Sequence, residues 1–141
     1  MRSLKMDDFL TMLLRLVIAT VLSGLVGFER EKKKREAGLR THVLVGIGSC
    51  SMMLFSIYGI PETIQNDNYK MDPARIPAYV ISGIGFMGAL LKGLTTAASL
   101  WVVTAIGLIV GVGMILFSIA VTVITLLSLW LLKKLANKIE S

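Results

Sequence analysis

Apolar residues fall in five long runs separated by short polar stretches: Phe9–Phe28, Val43–Ile60, Ile76–Leu91, Leu94–Gly113 and Met114–Leu132. Arg15 is the one charged side chain inside them. A helix rises about 1.5 Å per residue, so roughly 20 residues, and at least about 17, cross the hydrocarbon core of a bilayer. Four runs meet that length, while the third, with 16 residues, predicts a short or re-entrant span. Helices are expected because a lone strand in lipid leaves its N–H and C=O groups unpaired, and the strict alternation of a membrane barrel is absent. The pattern therefore predicts an all-α integral membrane protein, a bundle of about five transmembrane helices forming a single domain over residues 1–141.

The connections refine this. Arg2 and Lys5 precede the first run as they would in a signal peptide. That run is too long, lacks a small-residue cleavage site and ends in the charged stretch Glu29 to Arg35, so a retained helix is expected. Asp72-Pro73 places a side-chain acceptor at an N-cap and a proline at N1, which starts the third helix there. Only Ala89-Leu90-Leu91-Lys92 separates Gly88 from Gly93, so the turn between the third and fourth helices is tight. The last two runs meet without a charged linker, and Gly111 and Gly113 are the candidate turn.

Charge sets the orientation. With an outside N-terminus the inner side holds Arg30, Lys32, Lys33, Lys34, Arg35, Arg40, Lys92, Lys133, Lys134 and Lys138, ten cations against Arg2, Lys5, Lys70 and Arg75 outside. The positive-inside rule then predicts N-terminus out and C-terminus in. Composition agrees with a membrane setting, at 55% hydrophobic and 17% charged, and the net charge of +6 sits between apolar runs instead of along a nucleic-acid-binding face. The single cysteine, Cys50, lies in an apolar run and supports neither a disulfide within the chain nor a metal site.

Gly83-Ile-Gly-Phe-Met-Gly88 fits the spacing of a dinucleotide fingerprint, but the strand before it and the acidic residue after it are missing. Glycines in a membrane helix instead let backbones approach, and Ala78, Ser82, Gly85 and Ala89 share one helical face as a packing seam. Gly24, Gly27, Gly83 and Gly88 join them as packing candidates. Arg15, Ala19, Ser23, Gly27 and Glu31 recur at intervals of four on the first helix. Two readings of Arg15 are open: it faces the interior, or it snorkels to the outer headgroups. Glu31 is expected to pair with Arg35 one helical turn on, and the basic stretch is a stop-transfer flank or a surface for anionic lipid or an acidic partner.

Enzyme chemistry has little support. Gly48-Ser-Cys-Ser51 supplies nucleophile-type side chains, but His42 is more than a turn away with no acid beside it, and the hydroxyls are expected to bond backbone carbonyls. Glu29 and Glu31 are predicted on the opposite face of the membrane from Asp72, which argues against a Mg²⁺ site; neither a metal nor a cofactor is expected.

Five ordered blocks, Gly24-Leu-Val-Gly-Phe-Glu-Arg-Glu31, Ala37-Gly-Leu-Arg-Thr-His42, Asp72-Pro-Ala-Arg75, Ser82-Gly-Ile-Gly-Phe-Met-Gly88 and Gly93-Leu-Thr-Thr-Ala-Ala-Ser-Leu-Trp101, resemble the successive signatures of the MgtC/SapB membrane family. The resemblance implies a multi-pass protein of the bacterial inner membrane, linked to magnesium homeostasis and, in its best-known members, to virulence. It implies a regulator of another membrane protein, with the membrane sector of the rotary ATP synthase as a partner, and not a magnesium carrier. Longer members add a cytoplasmic C-terminal domain, so the expectation is a short form. Carried over block by block, the resemblance nominates Glu29, Arg30, Arg40, Asp72, Arg75, Ser82, Thr95 and Thr96 as a polar core, to which depth adds Arg15. Thr95 and Thr96 at the start of the fourth helix either hold an anionic group or serve as plain N-caps. The leading expectation is a non-enzymatic membrane regulator that self-associates through its small-residue seams; the alternative is a transporter or channel for an ion or small anion.

Orientation is checked by reporter fusions after Asn68 and after Lys92: activity on opposite faces of the membrane is expected, and both reporters on one face would reject the topology.

Overall fold

The structure is a computed structural model that describes residues 5–60 and 72–139. Five helices follow one another: α1 (Met6–Lys32), α2 (Leu39–Tyr58), α3 (Arg75–Ala89), α4 (Leu94–Val112) and α5 (Ile115–Ile139). Four of them, α1, α2, α4 and α5, are long and apolar enough to cross a membrane. The fifth, α3, has 15 residues and extends about 22 Å, short of the roughly 30 Å of hydrocarbon. The expected loop at residues 61–75 lies outside the described residues up to position 71.

The helices run up and down in chain order. α1 packs antiparallel to α2 and α4, and α4 is central, touching all four of the others. Ten cations therefore collect at one end, where α1 and α5 finish and α2 and α4 begin; Asp72, the start of α3 and the end of α4 lie at the other. α1 and α5 extend past their apolar runs into the charged flanks, because Glu, Arg and Lys are good helix formers once outside hydrocarbon.

Bundle surface and interior divide by size as much as by polarity. On α1, Leu10, Leu14, Val17, Val21, Leu25 and Phe28 are exposed to the surroundings, while Ala19, Ser23, Val26 and Gly27 are buried. Large apolar side chains lose nothing by facing lipid, so the interior is filled by residues that let helices come close. A Cβ on Gly107 would fall on the Ser49 hydroxyl and 2.6 Å from the Gly46 carbonyl oxygen; one on Gly111 would lie 2.6 Å from Met53 Cβ. One on Gly46 would lie 2.5 Å from Ser23 Cβ, and one on Gly27 2.8 Å from His42 Cβ.

The expected seam on α3 makes no close contact within the chain. Ala78, Ser82, Gly83, Gly85 and Ala89 are exposed on α3, and a Cβ at Gly83 or Gly85 meets nothing within 4 Å. Gly88 only touches Ala97, and Gly24 only Val43. The close backbone approaches lie between α1, α2 and α4 at Gly27, Gly46, Gly107 and Gly111, since α3 is peripheral and buries Ile84 alone.

Helix ends follow the local chemistry with three departures. Gly113 has φ +100°, and the Met114 and Gly113 N–H groups donate to the Ile109 and Val110 carbonyls at 3.2 and 2.9 Å, so the glycine turn predicted between the last two helices is a left-handed C-terminal cap. The end of α1 has the same paired bonds, Arg35 N–H to Arg30 O and Lys34 N–H to Glu31 O, with Lys34 at φ +50° where glycine is usual. Because α1 stops at Lys32, Glu31 does not pair with Arg35; its carboxylate accepts the Leu39 N–H at 2.9 Å and caps α2, while Glu29 pairs with Lys33. Asp72 accepts the Ala74 N–H at 2.9 Å, forming a turn that precedes α3 by two residues instead of capping it directly. Finally, α4 is capped by Gly93 without a side-chain bond, so neither Thr95 nor Thr96 is an N-cap.

Replacing Gly107 by Ala is expected to lower stability by about 1–3 kcal/mol, through overpacking against the α2 backbone. Gly85→Ala should leave the unfolding midpoint in detergent unchanged or slightly raised. Equal losses from both would refute the assignment of the close contacts.

Candidate functional site

The cationic end contains a buried polar cluster built from three helices. α1 brings Glu29 and Arg30 in its last turn, α2 brings His42 in its first, and α4 brings Thr96 and Ser99. Arg30 is only 2% exposed. Its Nη1 stands 3.8 Å from Glu29 Oε2, and its Nη2 donates to Thr96 Oγ1 over 3.5 Å. Its Nε has no hydrogen-bond partner. Glu29 also pairs with Lys33, and both of its carboxylate oxygens are buried. Taking a guanidinium out of water costs several kcal/mol unless charge and hydrogen bonds compensate, and long contacts do so incompletely.

Beneath Arg30, His42 is fully buried and joins α2 to α4. Its Nδ1 lies 2.8 Å from the Gly38 carbonyl oxygen, which can only accept, so that nitrogen carries a proton. Nε2 lies 3.0 Å from Ser99 Oγ, which is also 2.8 Å from the Thr96 carbonyl oxygen. With a neutral ring, the single Ser99 hydroxyl proton faces two acceptors. His42 and Ser99 thus lock the register of α2 and α4 just below Thr96.

Above the cluster opens a cavity of about 380 Å³ lined by Arg30, Lys33, Arg35, Thr95, Ser128, Leu129, Leu132 and Lys133. Four of these are cationic and none is acidic. Glu36 closes the neighbouring loop by accepting the Lys92 N–H at 2.8 Å.

The nine residues expected to form one polar core do not form one. Glu29, Arg30, Thr95 and Thr96 meet at the cationic end. Arg40 shares that end but is exposed, in a separate cleft with Glu31, Gly38, Leu39 and Thr41. Asp72 and Arg75 stand exposed at the opposite end, and Ser82 is exposed on α3. Arg15 turns inward at that opposite end: its Nη1 donates to the Gly111 carbonyl oxygen at 2.8 Å, placing a cation against the negative terminus of α4. Sequence reasoning left His42, Ser99, Ser128 and Lys133 out of the polar core, and placed Lys33 and Arg35 only in a basic flank or lipid-facing surface. His42 and Ser99 lie within the family-like blocks and could have been nominated there; Ser128 and Lys133 are brought in only by the return of α5.

Ser49 and Ser51 donate to the Gly46 and Ile47 carbonyls at 3.2 and 2.8 Å, and Cys50 is buried, so this segment presents no exposed nucleophile. Among the described residues no three His, Cys, Asp or Glu side chains stand together as metal ligands.

A helical membrane bundle with a buried charge cluster at one end is the class of protein that the fold and site define. The chain belongs to the MgtC family, whose pattern it matches over residues 16–138. It is 43% identical over 125 residues to YhiD of Escherichia coli strain K12, whose name carries the proposal of magnesium transport, covering 83% of this chain and 58% of that protein. It is 35% identical over 136 residues to SapB of Bacillus subtilis strain 168, covering 90% and 59% of the two. With MgtC of Brucella abortus strain 2308 it shares 37% identity over 130 residues, covering 86% and 51%. The chain thus spans between half and three-fifths of these relatives' lengths. No solved structure matches it.

Glu29→Gln should leave Arg30 buried without its countercharge and cost about 3 kcal/mol, read as a lower unfolding midpoint in detergent. Glu29→Gln/Arg30→Met should recover most of the loss, because both charges are then gone; a double variant no better than the single one would count against the pair.

Proposed function

We propose that this chain is a non-enzymatic regulator in the bacterial cytoplasmic membrane, oriented with its cationic end inward, that acts by binding another membrane protein under magnesium limitation or stress. The observation that carries this reading is the packing between the two polar ends. Ala19, Leu22, Val26, Cys50, Leu54, Val103, Ile106 and Val110 form one buried cluster between Arg15 and Arg30. A hydrated ion needs polar groups along its path to replace lost water. Those between the two ends are few, and the buried Ser23, Ser49 and Thr104 hydroxyls are engaged with carbonyls of their own helices. The charged groups are thus confined to the two ends of the bundle, where a partner could meet the exposed ones.

Self-association through the exposed Ala78, Ser82, Gly85 and Ala89 face belongs to the same proposal, as does a rotary ATP synthase membrane sector as partner, which rests on family resemblance alone. The second reading, transport, draws on the name of the Escherichia coli relative and on the inward turn of Arg15.

Proteoliposomes loaded with a Mg²⁺-sensitive dye separate the two. Flux equal to that of empty liposomes is expected; selective, saturable entry with purified protein would overturn the regulator reading. A photo-crosslinker at Ser82 in native membranes should capture a second membrane protein in addition to another copy of this chain, and recovery of self-contacts alone would argue against regulation in trans.

A further inference from the structure

We propose that the cavity between the end of α1, the start of α4 and the last third of α5 is a binding site for a phosphate group, carried by an anionic phospholipid or free in solution. Arg30, Lys33, Arg35 and Lys133 line it with Thr95 and Ser128, and even with Glu29 counted beside Arg30 and Lys33 the cations exceed the carboxylate by three. The floor carries a second and independent sign. Arg30 is buried, its two nearest contacts are long, and its Nε has no hydrogen-bond partner. A buried guanidinium left so incompletely bonded is stabilised by an oxyanion that accepts from its planar fork.

The helix termini add to this. α4 begins at the cavity with no side-chain cap; the Thr96 and Ala97 N–H groups donate to the Gly93 carbonyl, which leaves the Leu94 and Thr95 N–H groups at the positive end of the dipole for an anion. The Thr95 hydroxyl stands in that same turn. The volume of about 380 Å³ equals that of about a dozen water molecules, room for a headgroup with its phosphate.

Depth favours a lipid as the source. Leu129 and Leu132 form one wall while Lys133 stands beside them at the mouth. Next to that wall, Trp130 and Leu131 are exposed, and the Lys134 ammonium lies 5.4 Å from the centre of the Trp130 ring, an arrangement typical of the headgroup boundary. A phosphate at this level would meet the cations while its acyl chains run down α5. The site stands whether or not the protein regulates another.

The test uses the full chain purified in neutral detergent and placed in nanodiscs of phosphatidylcholine mixed with phosphatidylglycerol. Retained lipid is read by native mass spectrometry. Each basic side chain near an anionic surface contributes about 1 kcal/mol, about fivefold in affinity, so phosphatidylglycerol should be enriched over phosphatidylcholine by at least about fivefold. Arg35→Gln/Lys133→Gln should abolish the enrichment. The charge-matched Lys32→Gln/Lys92→Gln, outside the cavity, should keep it. A second arm compares unfolding midpoints in detergent with inorganic phosphate and with chloride at equal ionic strength. Stabilisation by millimolar phosphate, lost in Arg35→Gln/Lys133→Gln, supports the site with free phosphate as ligand; enrichment of lipid without it supports the headgroup. Equal loss in both double variants would reduce the effect to diffuse surface charge and overturn the proposal. So would the absence of both enrichment and stabilisation, leaving an acidic segment of a partner protein as the better occupant.

Discussion

Hydrocarbon offers no reward for bringing apolar side chains together, so this bundle depends on how closely the backbones of α1, α2 and α4 can approach. Gly107 and Gly111 let α4 approach α2, and Gly27 and Gly46 let α1 and α2 meet, so closely that one added carbon collides. Dispersion contacts and short polar bonds then do what the hydrophobic effect does in water. The same constraint turns many large residues outward, as on α1 and α5, and places Ala19, Ser23, Ser49, Cys50 and Thr104 in the interior beside Val26, Leu100, Val103 and Ile106. Their hydroxyls remain harmless there: Ser23 bonds the Ala19 carbonyl and Thr104 the Leu100 carbonyl of their own helices.

Once α4 is central, its two termini become the places where charge can be held. A helix leaves carbonyls unsatisfied at its C-terminus and N–H groups unsatisfied at its start. Arg15 answers the first at Gly111, and with Gly113 in the left-handed conformation the chain turns directly into α5. The start of α4 instead faces Arg30, Thr96 and the His42–Ser99 link, where three helices converge around a guanidinium that Glu29 only partly compensates. At one end of the molecule a cation bonds the terminus of α4, and at the other a cavity opens under four cationic side chains.

This asymmetry gives the two functional proposals their common physical basis. Between the ends lies a mainly apolar, closely packed interior, and the cavity with its cationic lining sits at one end only. Similarity to YhiD, SapB and MgtC covers the helical region and little more than half of each relative, so it bears on the bundle and its end cluster.

Hydropathy alone carried most of the architecture, because length and apolarity dictate a membrane helix with little need of tertiary detail. The helix count, the tight turn after α3 and the glycine cap at Gly113 are local properties and were legible as such. Apart from Gly27, the close contacts within the chain fall at glycines other than those nominated for packing, for a non-local reason. Small residues on α3 and on α4 look alike in one dimension, and which set is buried depends on which helix lies at the centre. The nine nominated polar residues likewise scattered to both ends and to the outer face of α3, since a shared motif says nothing of shared depth. Capping went the same way: Glu31 serves α2 because α1 stops at Lys32, and the α4 cap is a glycine beside two threonines. Lys133 and Ser128 join Arg30 only through the return of α5 over some hundred residues of chain. Burial, helix crossing and charge convergence are properties of packing, and in lipid packing is decided by which backbones can touch.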